Sequence, residues 1–352
     1  MPFSTKNFVL MSNDYPRRRF LRQTFFAGSG LFLATGPGFA FKRSPMTAVD
    51  GRRVGIIGLD TSHAPAFTKA LNAAKPAPEY AGFRVTAAYP HGSRDIASSV
   101  ERIPAYTEQV KQLGVEIVDS IDALLSRVDV VLLETNDGRL HLEQARKVFA
   151  AGKPVFIDKP VAASLKDAVA IYAEAQRAGV PVFSASSLRY TPNVQEAAGG
   201  KVGQILGADT YSPMKVEPTH PDLFWYGIHG VETLYTLMGT GCETVTRVKG
   251  RDADIVTGVW KDGRVGVFRG IREGKADYGG TVYGSTGIMT VGPHVGYNPL
   301  LLKIIEFFKS GVAPVKAEET MEMFAFMEAA DESLRKKGRA VNVAEMLRKA
   351  GG

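Results

Sequence analysis

Hydrophobic positions along this chain fall into two textures. From residue 53 to residue 184, short apolar runs alternate with longer amphipathic stretches. The runs Arg53–Gly58, Phe83–Tyr89, Val115–Val118, Val130–Leu133, Val155–Ile157 and Val182–Ser184 read as buried strands. Between them the spacing predicts helices over about Ala64–Ala74, Ile103–Leu113, Ile121–Ser126, Gly138–Ala151 and Leu165–Ala178. Pro65 sits in a first turn, Ser120 and Ser164 stand as N-caps, and Gly179 with Pro181 ends the last helix. Strands alternating with helices predict an α/β, Rossmann-like, doubly wound parallel sheet over residues 47–187.

The texture changes after Leu188. Residues 203–216, 244–250, 253–260, 264–272 and 279–291 read as consecutive strands, with turns such as Lys261-Asp262-Gly263. Strands without intervening helices predict a mainly antiparallel sheet, so residues 188–352 form a C-terminal α+β domain. Its helices are expected at Asp222–Met238, Thr320–Arg335 and Val343–Ala350.

Composition adds little until the charge is located. The 352 residues suit two domains, and the apolar share of 45% is ordinary. Of the net charge of +7, residues 1–40 carry +4, from Lys6, Arg17, Arg18, Arg19 and Arg22 against Asp14, which leaves +3 for the rest. Nothing in that remainder resembles a nucleic-acid footprint. Arg17-Arg18-Arg19-Phe20-Leu21-Arg22, the apolar run Phe25–Ala40 and the small-residue end Gly38-Phe39-Ala40 predict a twin-arginine signal peptide over 1–40. Met11 is a second candidate start. The run is too short and Gly-rich for a stable membrane span, so a periplasmic or secreted protein is expected. Cys242 is the only cysteine, which excludes an intrachain disulfide and suits folding before export.

Candidate chemistry gathers at strand ends, where open α/β sheets bind ligands. Lys159 follows Val155-Phe156-Ile157-Asp158 and precedes Pro160, which restricts it and admits a cis bond. A solvated lysine in a surface turn is the plainer alternative. The first turn reads Gly58-Leu59-Asp60-Thr61-Ser62-His63 and keeps only the first glycine of a dinucleotide fingerprint. Asp60 stands where a backbone should approach pyrophosphate, and its carboxylate would repel the ligand. Thr61 and Ser62 can still donate to phosphate at a helix N-terminus, or the segment is simply a capped turn. Ser93 and Arg94, after the second strand, suit a ribose 2′-phosphate or an ordinary turn. The histidines, among them His63, His91, His220 and His294, show no metal-ligand spacing, so no metal is expected.

Glu134-Thr135-Asn136-Asp137-Gly138-Arg139-Leu140-His141, followed by Gly152-Lys153-Pro154-Val155-Phe156-Ile157-Asp158-Lys159-Pro160, resembles the Gfo/Idh/MocA oxidoreductase family. Leu188-Arg189-Tyr190-Thr191-Pro192 and Gly203–Gly207 extend the resemblance, which covers about residues 52–340. It implies hydride transfer between NAD or NADP and a sugar or polyol. Lys159 would help to deprotonate the substrate hydroxyl, and His229 would be the general acid–base. Thr135, Asn136 and His141 would lie near the cofactor, with Asp158 beside the nicotinamide. His229 also sits on an apolar helix face and could be a packed core histidine. Trp225 replaces the aspartate that the family has four residues earlier, and Glu232 is the candidate substitute carboxylate. Trp225 and Tyr226 would offer an aromatic platform and His220 would line the substrate site, while Arg189 binds substrate or bridges the domains. The resemblance also implies a homo-oligomer. Two further readings stay open: a nucleotide-independent lyase or isomerase acting on a keto-sugar, and a non-catalytic sugar-binding protein on a decayed dehydrogenase scaffold.

Overall fold

The computed structural model describes residues 52–351, so the signal peptide expected over 1–40 lies outside the described residues. The N-terminal half is built from β1 (Arg53–Ile57), α1 (His63–Leu71), β2 (Arg84–Tyr89), α2 (Ala97–Gln112), β3 (Glu116–Ile117), α3 (Ile121–Leu125), β4 (Val130–Leu133), α4 (His141–Ala150), β5 (Val155–Ile157), α5 (Leu165–Ala178) and β6 (Val182–Ser184). The strands pair in parallel in the order β3-β2-β1-β4-β5-β6. This is a doubly wound order whose direction reverses between β1 and β4. The strand cores are buried on both faces, as their unbroken apolar runs require.

A short helix α6 (Pro192–Glu196) leads to the second half. There β7 (Ile205–Pro213), α7 (Ile228–Met238), β8 (Cys242–Lys249), β9 (Ala253–Trp260), β10 (Val265–Ile271), β11 (Gly279–Gly284) and β12 (Ile288–Val291) follow. The chain ends in α8 (Asn298–Ser310), α9 (Ala317–Arg335), β13 (Val341–Asn342) and α10 (Val343–Gly351). The second sheet runs β12-β11-β7-β10-β9-β8-β13 and is antiparallel except where β10 meets β7. The α/β plus α+β architecture is therefore as the hydrophobic pattern predicts.

Among the elements that differ from that pattern, three stand out. α2 starts at Ala97 and runs through Pro104, which the sequence reading treats as the edge of a shorter helix. The stretch 279–291 is a hairpin, β11 and β12, rather than one strand. The third element, α8, is absent from the sequence reading. Its Leu300, Leu301, Ile304, Ile305, Phe307 and Phe308 belong to the same core as Val54, Phe83, Phe156 and Phe183 of the first half. Phe307 meets Phe183 edge-on at 4.8 Å, and Phe308 stacks on Phe83 at 6.2 Å. A helix from the far end of the sequence thus covers one face of the first sheet. Its loop, just upstream, is thereby held over the carboxyl edge of that sheet.

In the second half, Arg247 on β8 is fully buried and bonds Asp254, Asp222 and Asp331. Burial pushes the Asp331 carboxyl up to about 6, against the pull of Arg247. No helix among the described residues is long and apolar enough to cross a membrane.

Candidate active site

The carboxyl ends of β1, β4, β5 and β6 converge on one pocket. Thr61, Ser62 and His63 come from the β1 turn, Asn136 from β4, Asp158 and Lys159 from β5, and Ser187 and Leu188 from beyond β6. Tyr226 and His229 enter from the second half, Tyr278, His294 and Tyr297 from its loops, and Arg102 from α2. The space between them is a cleft that opens to solvent.

The β1 turn depends on Gly58. Its φ of +88° is one that glycine adopts freely, and a Cβ there would meet the Thr135 backbone at 2.6 Å. Asp60 does not project at a ligand as the sequence suggested. It is fully buried, its Oδ1 accepts the Asn136 N–H at 3.0 Å, and a Cβ on Gly92 would strike its Oδ2. Burial pushes this carboxyl up to about 6, partly offset by the Asn136, Ser99 and Ser93 hydrogen bonds. Asp60 is therefore a fastener between loops, and the repulsion expected from it does not arise.

His63 lines the pocket and is buried. Its Nδ1 lies 3.0 Å from Asp158 Oδ1 and 3.4 Å from Glu134 Oε2. Burial alone would lower the imidazole, but the charges of Asp158 and Glu134 overcome it and hold it at about 10. Burial also raises Glu134, to about 7, whereas His63 and Lys159 keep Asp158 well below the ordinary carboxylate range despite its burial. Lys159 Nζ lies 3.9 Å from Asp158 Oδ2, and the Lys159–Pro160 bond is cis.

His229 is buried against Ser186, whose Oγ lies 2.7 Å from Nδ1 and also accepts the Leu188 N–H. That contact leaves Nε2 to the pocket. Burial first, and the charge of Lys159 second, depress the imidazole well below its ordinary value. Glu232 is not its carboxylate partner. It accepts the Ser186 N–H at 2.8 Å and the Arg189 guanidinium at 2.7 Å. Arg189 also bonds Glu319 at 2.6 Å; both of its carboxylate partners lie within residues 188–352, and Arg189 does not line the pocket.

The remaining candidates lie around this centre. Thr135 and His141 are buried, with His141 Nε2 2.6 Å from the Thr135 carbonyl and Nδ1 3.2 Å from that of Val161. Burial lowers the His141 imidazole, and a neutral ring donates its single N–H to one of these two carbonyls, holding the β4 turn beside the segment after β5. Ser93 is buried and donates to Asp95 at 2.7 Å, and Arg94 is exposed on the same loop. Asp95 is held at about 2 by hydrogen bonds from Arg139 and Ser93. His220 lies 3.4 Å from Asp137 and 4.9 Å from the ring of Trp225, and neither lines the pocket. Tyr226 does, its ring 6.0 Å from His229.

Sequence reasoning missed Ser186, Ser187, Arg102, Tyr278 and Tyr297, and gave Glu134 no role. Ser186 and Ser187 follow β6, so the strand-end rule could have found them. Tyr278 and Tyr297 sit on loops without a pattern. Tyr278 lies 5.5 Å from His229 and Tyr297 4.4 Å from His63, ring to ring, with the Tyr297 hydroxyl 2.8 Å from Ser62 Oγ. His294, its Nε2 3.2 Å from Ser187 Oγ, completes an aromatic wall suited to the C–H faces of a ring-shaped ligand.

Residues 52–186 match the family model "Oxidoreductase family, NAD-binding Rossmann fold". A 2,7-anhydro-N-acetylneuraminate hydratase of Escherichia coli K12 is 29% identical over 150 residues, 38% of this chain and 40% of that protein. An uncharacterized oxidoreductase of Streptococcus pneumoniae serotype 4 is 27% identical over 161 residues, 41% of this chain and 43% of that protein. The chain thus matches less than half the length of either relative. Among solved structures, scyllo-inositol dehydrogenase from Lactobacillus casei with NAD(H) and scyllo-inositol superposes with a TM-score of 0.67. That likeness covers 84% of this chain and 99% of the other at 16% identity, and it establishes the fold. Residues 52–186 therefore resemble the NAD-binding domain of that oxidoreductase family, and the solved structures share the fold.

Proposed function

We propose that this chain is a Gfo/Idh/MocA oxidoreductase that moves hydride between NAD or NADP and a sugar or polyol carbon, with Lys159 and His229 as its acid–base pair. The observation that carries the reading is that Lys159 and His229 line one pocket at the carboxyl edge of the doubly wound sheet. The residues present fit a dinucleotide. Gly58 keeps the close backbone approach, and Thr61, Ser62, Asn136 and Arg102 offer donors to phosphate beside the α1 N-terminus. Bound nicotinamide supplies the hydride acceptor. The chain supplies the rest: Lys159 donates to the substrate oxygen, neutral His229 takes the proton at Nε2, and the tyrosines exclude water.

The twin-arginine pattern supports export of a folded, nucleotide-loaded protein, in which cofactor is recycled in place. The inositol dehydrogenase neighbour favours a polyhydroxylated ring as substrate. The solvent side of the second sheet carries Tyr211, Val248, Val259, Val265, Tyr283 and Ile288, which supports a homo-oligomer joined there.

Deuterium transfer tests the reading. Protein loaded with NAD or NADP is incubated with sugars and polyols deuterated at carbon. Label is expected in the nicotinamide with the native chain and not with Lys159→Ala, whose nucleotide binding persists. Equal labelling by both proteins would remove the assigned role of Lys159.

A second reading has one observation in its favour, the hydratase relative. The same pair would then catalyse elimination or hydration of a keto-sugar without a nucleotide. Turnover by nucleotide-stripped protein would favour it.

A further inference from the structure

We infer that His63, Glu134 and Asp158 form a binding site for one divalent first-row transition cation at the floor of the pocket. Spacing along the sequence gives no sign of it, because His63 opens α1 after the β1 turn, while Glu134 and Asp158 directly follow β4 and β5. The fold alone brings them together. One donor atom from each lies within 4.8 Å of the others, with Nδ1 3.0 Å from Asp158 Oδ1 and 3.4 Å from Glu134 Oε2. A cation bound at about 2.0–2.2 Å sets neighbouring N and O ligands roughly 3–3.5 Å apart, so the observed separations need little adjustment.

The competing occupant of the gap is a proton on His63. A proton satisfies one acceptor along one direction. His63 Nδ1 faces two carboxylates, 3.0 Å from Asp158 Oδ1 and 3.4 Å from Glu134 Oε2, and a single N–H there cannot be directed at both. Both oxygens of Asp158 and Oε1 of Glu134 are buried without a hydrogen-bond partner. Such groups are costly to leave unmatched, and native interiors rarely hold several together. A cation would satisfy all three residues at once.

The donor set narrows the cation. One imidazole with two carboxylates suits Zn²⁺, Mn²⁺, Co²⁺ or Fe²⁺; it lacks the thiolates that select Cu⁺ and the all-oxygen shell typical of Ca²⁺. His63 and Asp158 line the pocket, so the cation would be reached from it and would keep a position for water or a substrate oxygen. Lys159 Nζ approaches Asp158 at Oδ2, the oxygen away from His63, and Thr61 Oγ1 lies 3.4 Å from Glu134 Oε2. Asp158 and Glu134 therefore have supports of their own. The inference does not depend on the hydride-transfer reading, because a cation here would polarise a substrate oxygen in either chemistry.

The test uses the full chain purified without chelator. Its metal content is measured by mass spectrometry, and EDTA-treated protein is titrated with ZnCl₂ and with MnCl₂ in a calorimeter. Binding of one cation per chain is expected. Glu134→Gln and His63→Ala should each weaken it at least about tenfold, while Lys159→Ala should retain it. Co²⁺ loading should give ligand-field absorption that His63→Ala alters. Circular dichroism confirms that each variant is folded, and Glu134→Gln, which preserves shape, serves if His63→Ala is not. A folded native chain that binds neither salt, or binding that folded Glu134→Gln leaves unchanged, would overturn the inference. Nucleotide content is read separately, so either proposal can fail alone.

Discussion

Lys159 is the residue at which sequence and geometry agree most closely. The strand–lysine–proline pattern put it at a sheet edge, and the pocket lies there. Lys159→Ala should lower kcat by roughly 10²–10⁴ with a folded protein, measured by steady-state turnover. His229 was legible as a position but not as an environment. Its partner is Ser186, which no local pattern marks, and Glu232 is spent on Arg189. As a base, His229 must be neutral, and its lowered value keeps it neutral into acid. The acid limb of kcat/KM due to His229 should therefore fall below pH 6.5, the ordinary histidine value. Ser186→Ala should move that limb as well as lower kcat, an outcome that loss of packing alone would not give. His141 is different. Its imidazole is neutral in the folded chain, whereas the unfolded chain takes up a proton below about pH 6.5. The stability advantage of native protein over His141→Gln, read by urea unfolding, should thus shrink as pH falls from 6.5.

At the scale of elements, the first sheet was legible because fully buried parallel strands leave unbroken apolar runs. Helix α8 was not, because Leu300–Phe308 follows a stretch of turns and its partners lie more than a hundred residues earlier. Phe307→Ala should cost about 3–5 kcal/mol in denaturant unfolding, the cost of a large cavity in a packed core. The β1 turn was misread in one respect. A missing glycine at Asp60 implied repulsion, but side-chain direction is set by tertiary packing, and Asp60 turns inward to Asn136. Gly58 is the glycine the turn requires. Gly58→Ala should abolish nucleotide binding, because the added methyl meets the Thr135 backbone and the φ is one that L-residues resist.

For the whole molecule, charge and apolar pattern gave the two-part architecture, while the pocket between its parts had to be seen. The sheet face carrying Val259 and Val265 is the proposed contact between copies. Val265→Asp should shift native mass spectra toward monomer with the fold retained. The most direct measurement of the central claim is the nucleotide content of protein that folded in the cytoplasm. Denaturing the native chain and analysing what it releases by mass spectrometry should give NAD or NADP at about one per chain. A chain that releases no nucleotide, and binds none when NAD and NADP are added, would contradict the account.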